Sequence, residues 1–389
     1  MSAIKDEIAQ AVDRLGDELE ALSHRIHANP ELGYQEVKAS GWLAEFLAAH
    51  GFRVERGVAG VETAFRAEIA TGDGPTIAIM CEYDALPGIG HACGHNVIAT
   101  AGAGAGAALA ALRDRLPKGR LLVVGTPAEE GGGGKIRLIR GGVFERVDAA
   151  MMIHGWDRWI PHQDLLGVDR MTFEFTGKAA HASADPWEGV NALDAAVQTY
   201  NNVSMLRQQV RPTARIHGII NHGGVAPNII PEFAATTFYV RAAEIPYLRE
   251  LKRRVAACAE AAAKATGTTL KVVEHDTAYE PMKRLERYLD VWRENARRLG
   301  VTLSAEVKDR LGSSDVGNVS QVVPTIQPLV KIAPDGTPIH SRPFLEAAVT
   351  KLARDGMLTA AKAMAMTAVD LLGDGGLLDK IRQEFRSTS

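Results

Sequence analysis

Residues 76–84 read Thr76-Ile-Ala-Ile-Met80 followed by Cys81-Glu82-Tyr83-Asp84. A short apolar run that breaks abruptly into acidic residues reads as a strand buried on both faces, with chemistry at its carboxyl end. Leu121-Leu-Val-Val124 and Ala149-Ala-Met-Met-Ile153 have the same form. Helical stretches at 97–116 and 135–141 lie between these runs. Upstream, Ile4, Ile8, Val12, Leu15, Leu19, Leu22 and Ile26 recur every three or four residues. That spacing predicts one amphipathic helix over 4–26, stopped by Asn29-Pro30-Glu31-Leu32-Gly33. A second helix fits 36–49 and is closed by Gly51. Strands alternating with helices predict an α/β fold, a mostly parallel sheet with helices on both faces.

The pattern changes after Gly167. Strand-like, helical, strand-like, strand-like, helical and strand-like segments follow at 171–177, 191–208, 214–220, 234–241, 245–265 and 268–274. This order predicts an inserted ferredoxin-like α+β unit. Strand–helix character resumes near Leu285. The expected organisation is a catalytic domain of 1–167 and 279–389 with a smaller domain, 168–278, inserted in it. A length of 389 residues suits two cores.

Composition narrows the function. Apolar residues make up 46% and charged residues 23%, the balance of a soluble globular chain. With 44 Lys+Arg against 47 Asp+Glu, no basic field points to nucleic acid. The apolar stretch 99–112 is too short to span a bilayer, and Arg113 and Asp114 follow it. Cys81, Cys93 and Cys258 make an odd count, which argues for a reducing compartment, and no apolar leader is visible. The expected location is the cytoplasm, with no membrane partner.

Polar residues collect after the expected strand ends: Glu82 and Asp84, then His91-Ala-Cys-Gly-His95, Glu129-Glu130 and His154, with His340 near the C-terminus. Ligands of open parallel sheets bind outside those ends. A thiol, several imidazoles and several carboxylates form the donor set expected for Zn²⁺ or a similar divalent ion. Taken singly, Cys93 reads as a small buried hydrophobe and His95 as a structural imidazole. The glycine runs fail the nucleotide patterns. Gly131–Lys135 lacks the leading glycine and the Ser/Thr of a phosphate loop, and Gly102, Gly104 and Gly106 fall inside a helical stretch. Those three small residues read instead as a close helix-packing surface.

Six stretches resemble metallopeptidase family 20, the two-metal aminoacylase and carboxypeptidase group. They are Glu82–Pro87, Gly90–Asn96, Thr126–Lys135, Gly177–Ser183, Gly223–Pro231 and Gly312–Gly317. The cysteine-containing loop is similar to the amidohydrolase branch, which includes p-aminobenzoyl-glutamate hydrolase. Asn96 and Ile216-His-Gly-Ile-Ile220 resemble its β-alanyl-dipeptide hydrolase (aminoacylase-1-like) members. The resemblance implies two divalent ions per subunit, Zn²⁺ or Mn²⁺. It implies Cys93 as bridging ligand, with His95, Glu130, His154 and His340 as the other ligands. It also implies Glu129 as general base toward a metal-bound hydroxide and Asp84 as a residue orienting an adjacent ligand. Glu82 stands where other branches have a ligating histidine. The inserted domain would serve as dimerisation and lid domain of a homodimer. His181 would polarise the oxyanion in the partner's site, and Asn228 and Arg241 would hold a substrate carboxylate. The expected substrate is a small N-acyl amino acid or dipeptide. The rival reading is a metal-bound, peptide-binding or regulatory subunit without turnover, against which the paired Glu129 and Glu130 argue, since a binder needs no base.

Overall fold

The computed structural model describes residues 2–306 and 311–388. Contacts divide the chain into two units, Met1–Asp164 with Met282–Ser389, and Leu165–Pro281. The chain starts the first unit with helices Ser2–Arg14, Gly16–His27 and Val37–Ala49. The single helix expected over 4–26 is therefore two. At Leu15 the amide shares the Ala11 and Val12 carbonyls, a tightened turn, and Gly16 starts the second helix. The apolar stripe survives the break, with Ile8, Val12, Leu19 and Ile26 fully buried and Leu15 only half-buried.

Strands follow as β1 (Arg53–Arg56), β2 (Phe65–Ala70), β3 (Thr76–Cys81), β4 (Arg120–Gly125), β5 (Ala149–Met151) and β6 (His154–Trp156). The chain then builds the second unit from β7 (Gly167–Thr176), β8 (Arg215–His222), β9 (Phe233–Ala242) and β10 (Thr269–Glu274). Back in the first unit come β11 (Thr325–Ile326) and β12 (Leu329–Lys331).

The main sheet runs β1-β2-β4-β3-β5-β11. Pairing is parallel from β4 through β3 and β5 to β11 and antiparallel at β1–β2 and β2–β4. The sheet is thus mostly parallel, with an antiparallel edge that the apolar runs did not announce. Every residue of β3 is buried, as its unbroken apolar run requires. The 149–153 run splits. β5 ends at Met151, and β6 pairs with β12 in a separate two-stranded sheet. Helix His95–Ala110 is buried along its whole length. A Cβ on Gly102 would come 2.6 Å from Cys81 Sγ, one on Gly104 2.7 Å from Leu19 Cδ1, and one on Gly106 2.6 Å from Val123 Cγ2. The small residues let the helix lie directly on its neighbours, as read from the sequence.

In the second unit the sheet order is β10-β7-β9-β8, antiparallel throughout, the ferredoxin-like arrangement. It spans Leu165–Pro281, where the pattern placed 168–278. Helices Ala192–Leu206 and Ile245–Thr266 pack on it over Phe173, Phe175, Phe238, Val240 and Leu251. Edge strand β8 leaves Ile219 and Ile220 exposed.

Candidate metal centre

β3 and β4 are in register, Cys81 opposite Gly125, so their ends deliver Glu82–Asp84 and Thr126–Glu130 side by side. Gly94, in the left-handed region at φ 79°, turns the chain so that His95 opens its helix. His340 lies on a turn at φ 59°, and its amide donates to Ala92 O at 2.9 Å, tying that turn to the Cys93 loop.

The donors converge. In each of four groups the candidate ligand atoms lie within 4.8 Å of one another: Cys93, His95 and His154; Cys93, Glu130 and His340; His95, Glu129 and Glu130; Glu82, Glu129 and Asp315. Cys93 Sγ lies 3.3 Å from His154 Nε2, and His340 Nε2 lies 3.4 Å from Glu130 Oε1. His95 Nδ1 faces two acceptors, Asp84 O at 2.8 Å and Asp84 Oδ1 at 3.1 Å. It must therefore carry the proton, which leaves the Nε2 lone pair for the cluster. His154 Nδ1 faces the Gly155 carbonyl at 2.9 Å and presents Nε2 in the same way. Among the described residues, His95 Nε2 and Glu130 Oε1 are buried with no hydrogen-bond partner. Imidazole and carboxylate atoms aimed at one another beside a thiol fit a borderline divalent ion.

Asp84 reaches two elements at once. Besides His95, its Oδ2 accepts the Glu130 amide at 2.9 Å. Burial alone would raise the Asp84 carboxyl, but the neighbouring His95 ring and these hydrogen bonds hold it below the ordinary range. Burial raises Glu129, 7% exposed, well above it, with the negative charges of Glu82, Glu130 and Asp315 adding to the effect. Burial also pushes the Cys93 thiol up.

Two features escaped the sequence reading. Lys135, which closed a failed phosphate loop and one family-like stretch there but was given no role, is fully buried. Its Nζ donates to Glu82 Oε1 at 2.5 Å and Asp315 Oδ1 at 2.6 Å, and its amide donates to Asp315 Oδ2 at 2.9 Å. Burial would lower the Lys135 pKa, yet Asp315 and Glu82 keep it above the ordinary value. Glu36 is the second, fully buried with Oε1 accepting the Ala128 amide at 2.8 Å.

The remaining candidates lie in the second unit. His181 is exposed, and its Nδ1 accepts the amides of Ser183 at 3.3 Å and Ala184 at 3.2 Å. A neutral ring so bound carries its proton on Nε2. Asn228 is exposed on a loop whose carbonyl accepts the Ala182 amide at 3.0 Å. Arg241, on β9, donates from Nε to His217 Nε2 at 3.4 Å. Among the described residues no helix is long and apolar enough to cross a membrane.

A family model described as peptidase family M20/M25/M40 matches residues 78–354. The chain belongs to this family. The M20 chain is 41% identical to the Xaa-Arg dipeptidase of Mus musculus, over 99% of its own length and 93% of that protein. It is 29% identical to a p-aminobenzoyl-glutamate hydrolase chain of Escherichia coli (strain K12), over 95% and 92%. Among solved structures, a dinuclear metal binding peptidase from the M20 family of Bacillus subtilis superposes with a TM-score of 0.73 at 22% identity. That match covers 93% of this chain and 99% of the other. Membership makes the M20 chain a hydrolytic enzyme of a metal-dependent family and favours turnover over the rival reading as a non-catalytic binder.

Proposed function

We propose that this M20 chain hydrolyses the amide bond of dipeptides and N-acyl amino acids, dipeptides ending in arginine first among them. The convergence of Cys93, His95, Glu130, His154 and His340 beside the buried Glu129 carries this reading. Those five side chains would hold two divalent ions, Zn²⁺ or Mn²⁺. Cys93 shares one group with His95 and His154 and another with Glu130 and His340, which supports a bridging sulfur. When bound, the ions supply Lewis acidity to the scissile carbonyl and lower the pKa of the attacking water.

Glu129 takes the proton of that water and returns it to the leaving amine. Its placement in one donor group with His95 and Glu130 and in another with Glu82 and Asp315 supports that role. Asp84 positions His95 and the Glu129–Glu130 backbone together. His181, protonated on Nε2, suits a donor to the developing oxyanion in a partner's site. Exposed Ile219 and Ile220 on the unpaired edge of β8 support a homodimer formed through the second unit. Arg241 and Asn228 would hold the substrate carboxylate, a task suited to a planar guanidinium. Three unpaired cysteines suit a reducing, cytoplasmic setting.

The test is amine release from Xaa-Arg and β-alanyl dipeptides, N-acetyl amino acids and p-aminobenzoyl-glutamate, after loading with Zn²⁺ or Mn²⁺. Turnover of one class that chelator abolishes is the expected result. Full metal occupancy with no turnover of any class would overturn the reading.

A further inference from the structure

The segment Gly33–Glu36 belongs to none of the donor groups, yet it grips the loop carrying Glu129 and Glu130 on both sides. Before the pair, Glu36 Oε1 accepts the Ala128 amide at 2.8 Å. After it, Tyr34 Oη donates to the Gly132 carbonyl at 2.6 Å. Contact is close enough that a Cβ on Gly33 would lie 2.9 Å from Ala128 Cβ, and one on Gly132 2.9 Å from Tyr34 Cε2. Tyr34 is held from its other side by the Arg137 guanidinium, 4.3 Å from the ring centroid.

The gripped loop is strained where it is held. Ala128 sits in the left-handed region at φ 59°, as do Gly131 at 93° and Gly133 at 65°. Alanine adopts that conformation only when its surroundings enforce it. The Glu36 bond falls on the strained residue itself, one position before Glu129. Asp84 takes the next amide but one, that of Glu130. Two buried carboxylates thus hold the backbone on either side of Glu129, and its side chain leaves the chain between the Ala128 and Glu130 amides.

We propose that Glu36 and Tyr34 are positioning residues for Glu129, bracing residues 128–132 so that its carboxylate meets the attacking water in one orientation. This rests on the reading of Glu129 as the base. Misplacing a reacting group by about 1 Å costs on the order of 100-fold in rate.

The test uses the full-length, metal-loaded enzyme and a dipeptide ending in arginine. Glu36→Ala is expected to lower kcat about 10- to 100-fold, and Tyr34→Phe about 3- to 10-fold, with KM within about twofold and metal content unchanged. Glu36→Gln, whose amide oxygen still accepts the Ala128 N–H, should recover kcat to within about threefold. Hydrogen exchange over 126–133 gives a readout free of turnover, faster at Ala128 in Glu36→Ala and at the wild-type rate in Glu36→Gln.

Wild-type kcat in both Glu36→Ala and Tyr34→Phe overturns the proposal, as does a Glu36→Gln enzyme as slow as Glu36→Ala. Should Glu36→Ala fail to fold, Tyr34→Phe, which keeps the ring under Arg137, decides by its kcat and KM. Glu129→Ala separates the two readings. If it is fast, the base assignment falls and the brace loses its purpose. If it is inactive while the braced variants run at wild-type rate, the brace alone falls.

Discussion

In the first unit Glu82, Asp84 and His95 are sealed from solvent and bonded to one another's backbones or charges, whereas His181 and Asn228 of the second unit stand exposed on loops. A metal centre needs donors already stripped of water, with protons and lone pairs assigned before the ion arrives. Groups that read a substrate can stay hydrated until it comes. Disturbing the first region should therefore cost stability or chemistry at once, and disturbing the second should cost rate alone.

The sharpest break is Glu129→Ala. Loss of a general base is expected to reduce kcat about 10²- to 10⁴-fold, with metal content by elemental analysis unchanged. Lys135→Met tests the sealed region through folding. It leaves Glu82 and Asp315 buried without their cation, and removing one partner of such a set costs about 3–5 kcal/mol. A fall of that size in urea denaturation is expected, and a wild-type midpoint would remove Lys135 from the centre's framework.

His181→Ala probes the exposed region. A rate loss of about 10²- to 10³-fold is expected with an unchanged melting temperature. Mixing it with Glu129→Ala should restore activity once subunits exchange, and no recovery would place His181 in its own subunit's chemistry.

The smallest effect concerns pH. Burial raises the Glu36 carboxyl from 4.5 to about 7. A carboxyl with a higher pKa folded than unfolded takes up a proton on folding, so it costs stability as pH climbs from about 4.5 to about 7, and the whole cost is present above that. Glu36→Gln carries no such cost. It should be more stable than wild type by on the order of 3 kcal/mol at pH 8, with the gap closing toward pH 4.5. An equal gap at both ends in urea melts would deny Glu36 its raised pKa.

The parallel strands were legible because a strand buried on both faces must be apolar throughout, as β3 is. The β1–β2 edge was not, although Phe65-Arg-Ala-Glu-Ile-Ala70 alternates as a half-buried strand does. The helix break at Leu15 was hidden because the apolar stripe runs through it unbroken. Donor types were legible because a thiol, imidazoles and paired carboxylates have few other uses together. Lys135 and Glu36 were not, since charged residues are ordinarily solvated. Nothing local to Glu36 marks a partner 92 positions away.

Helix His95–Ala110 begins with a candidate ligand and meets its neighbours through glycines at 102, 104 and 106. A helix so seated acts as a gauge block, since Gly102, Gly104 and Gly106 bring its backbone directly onto Cys81 of β3, Leu19 and Val123 of β4. Enlarging Gly104 or Gly106, turns away from the donors, would shift His95 with the rest of the rod. Natural variation along this helix should accordingly be policed by catalysis as well as by folding, so the map of intolerant positions will extend well beyond the residues that do chemistry.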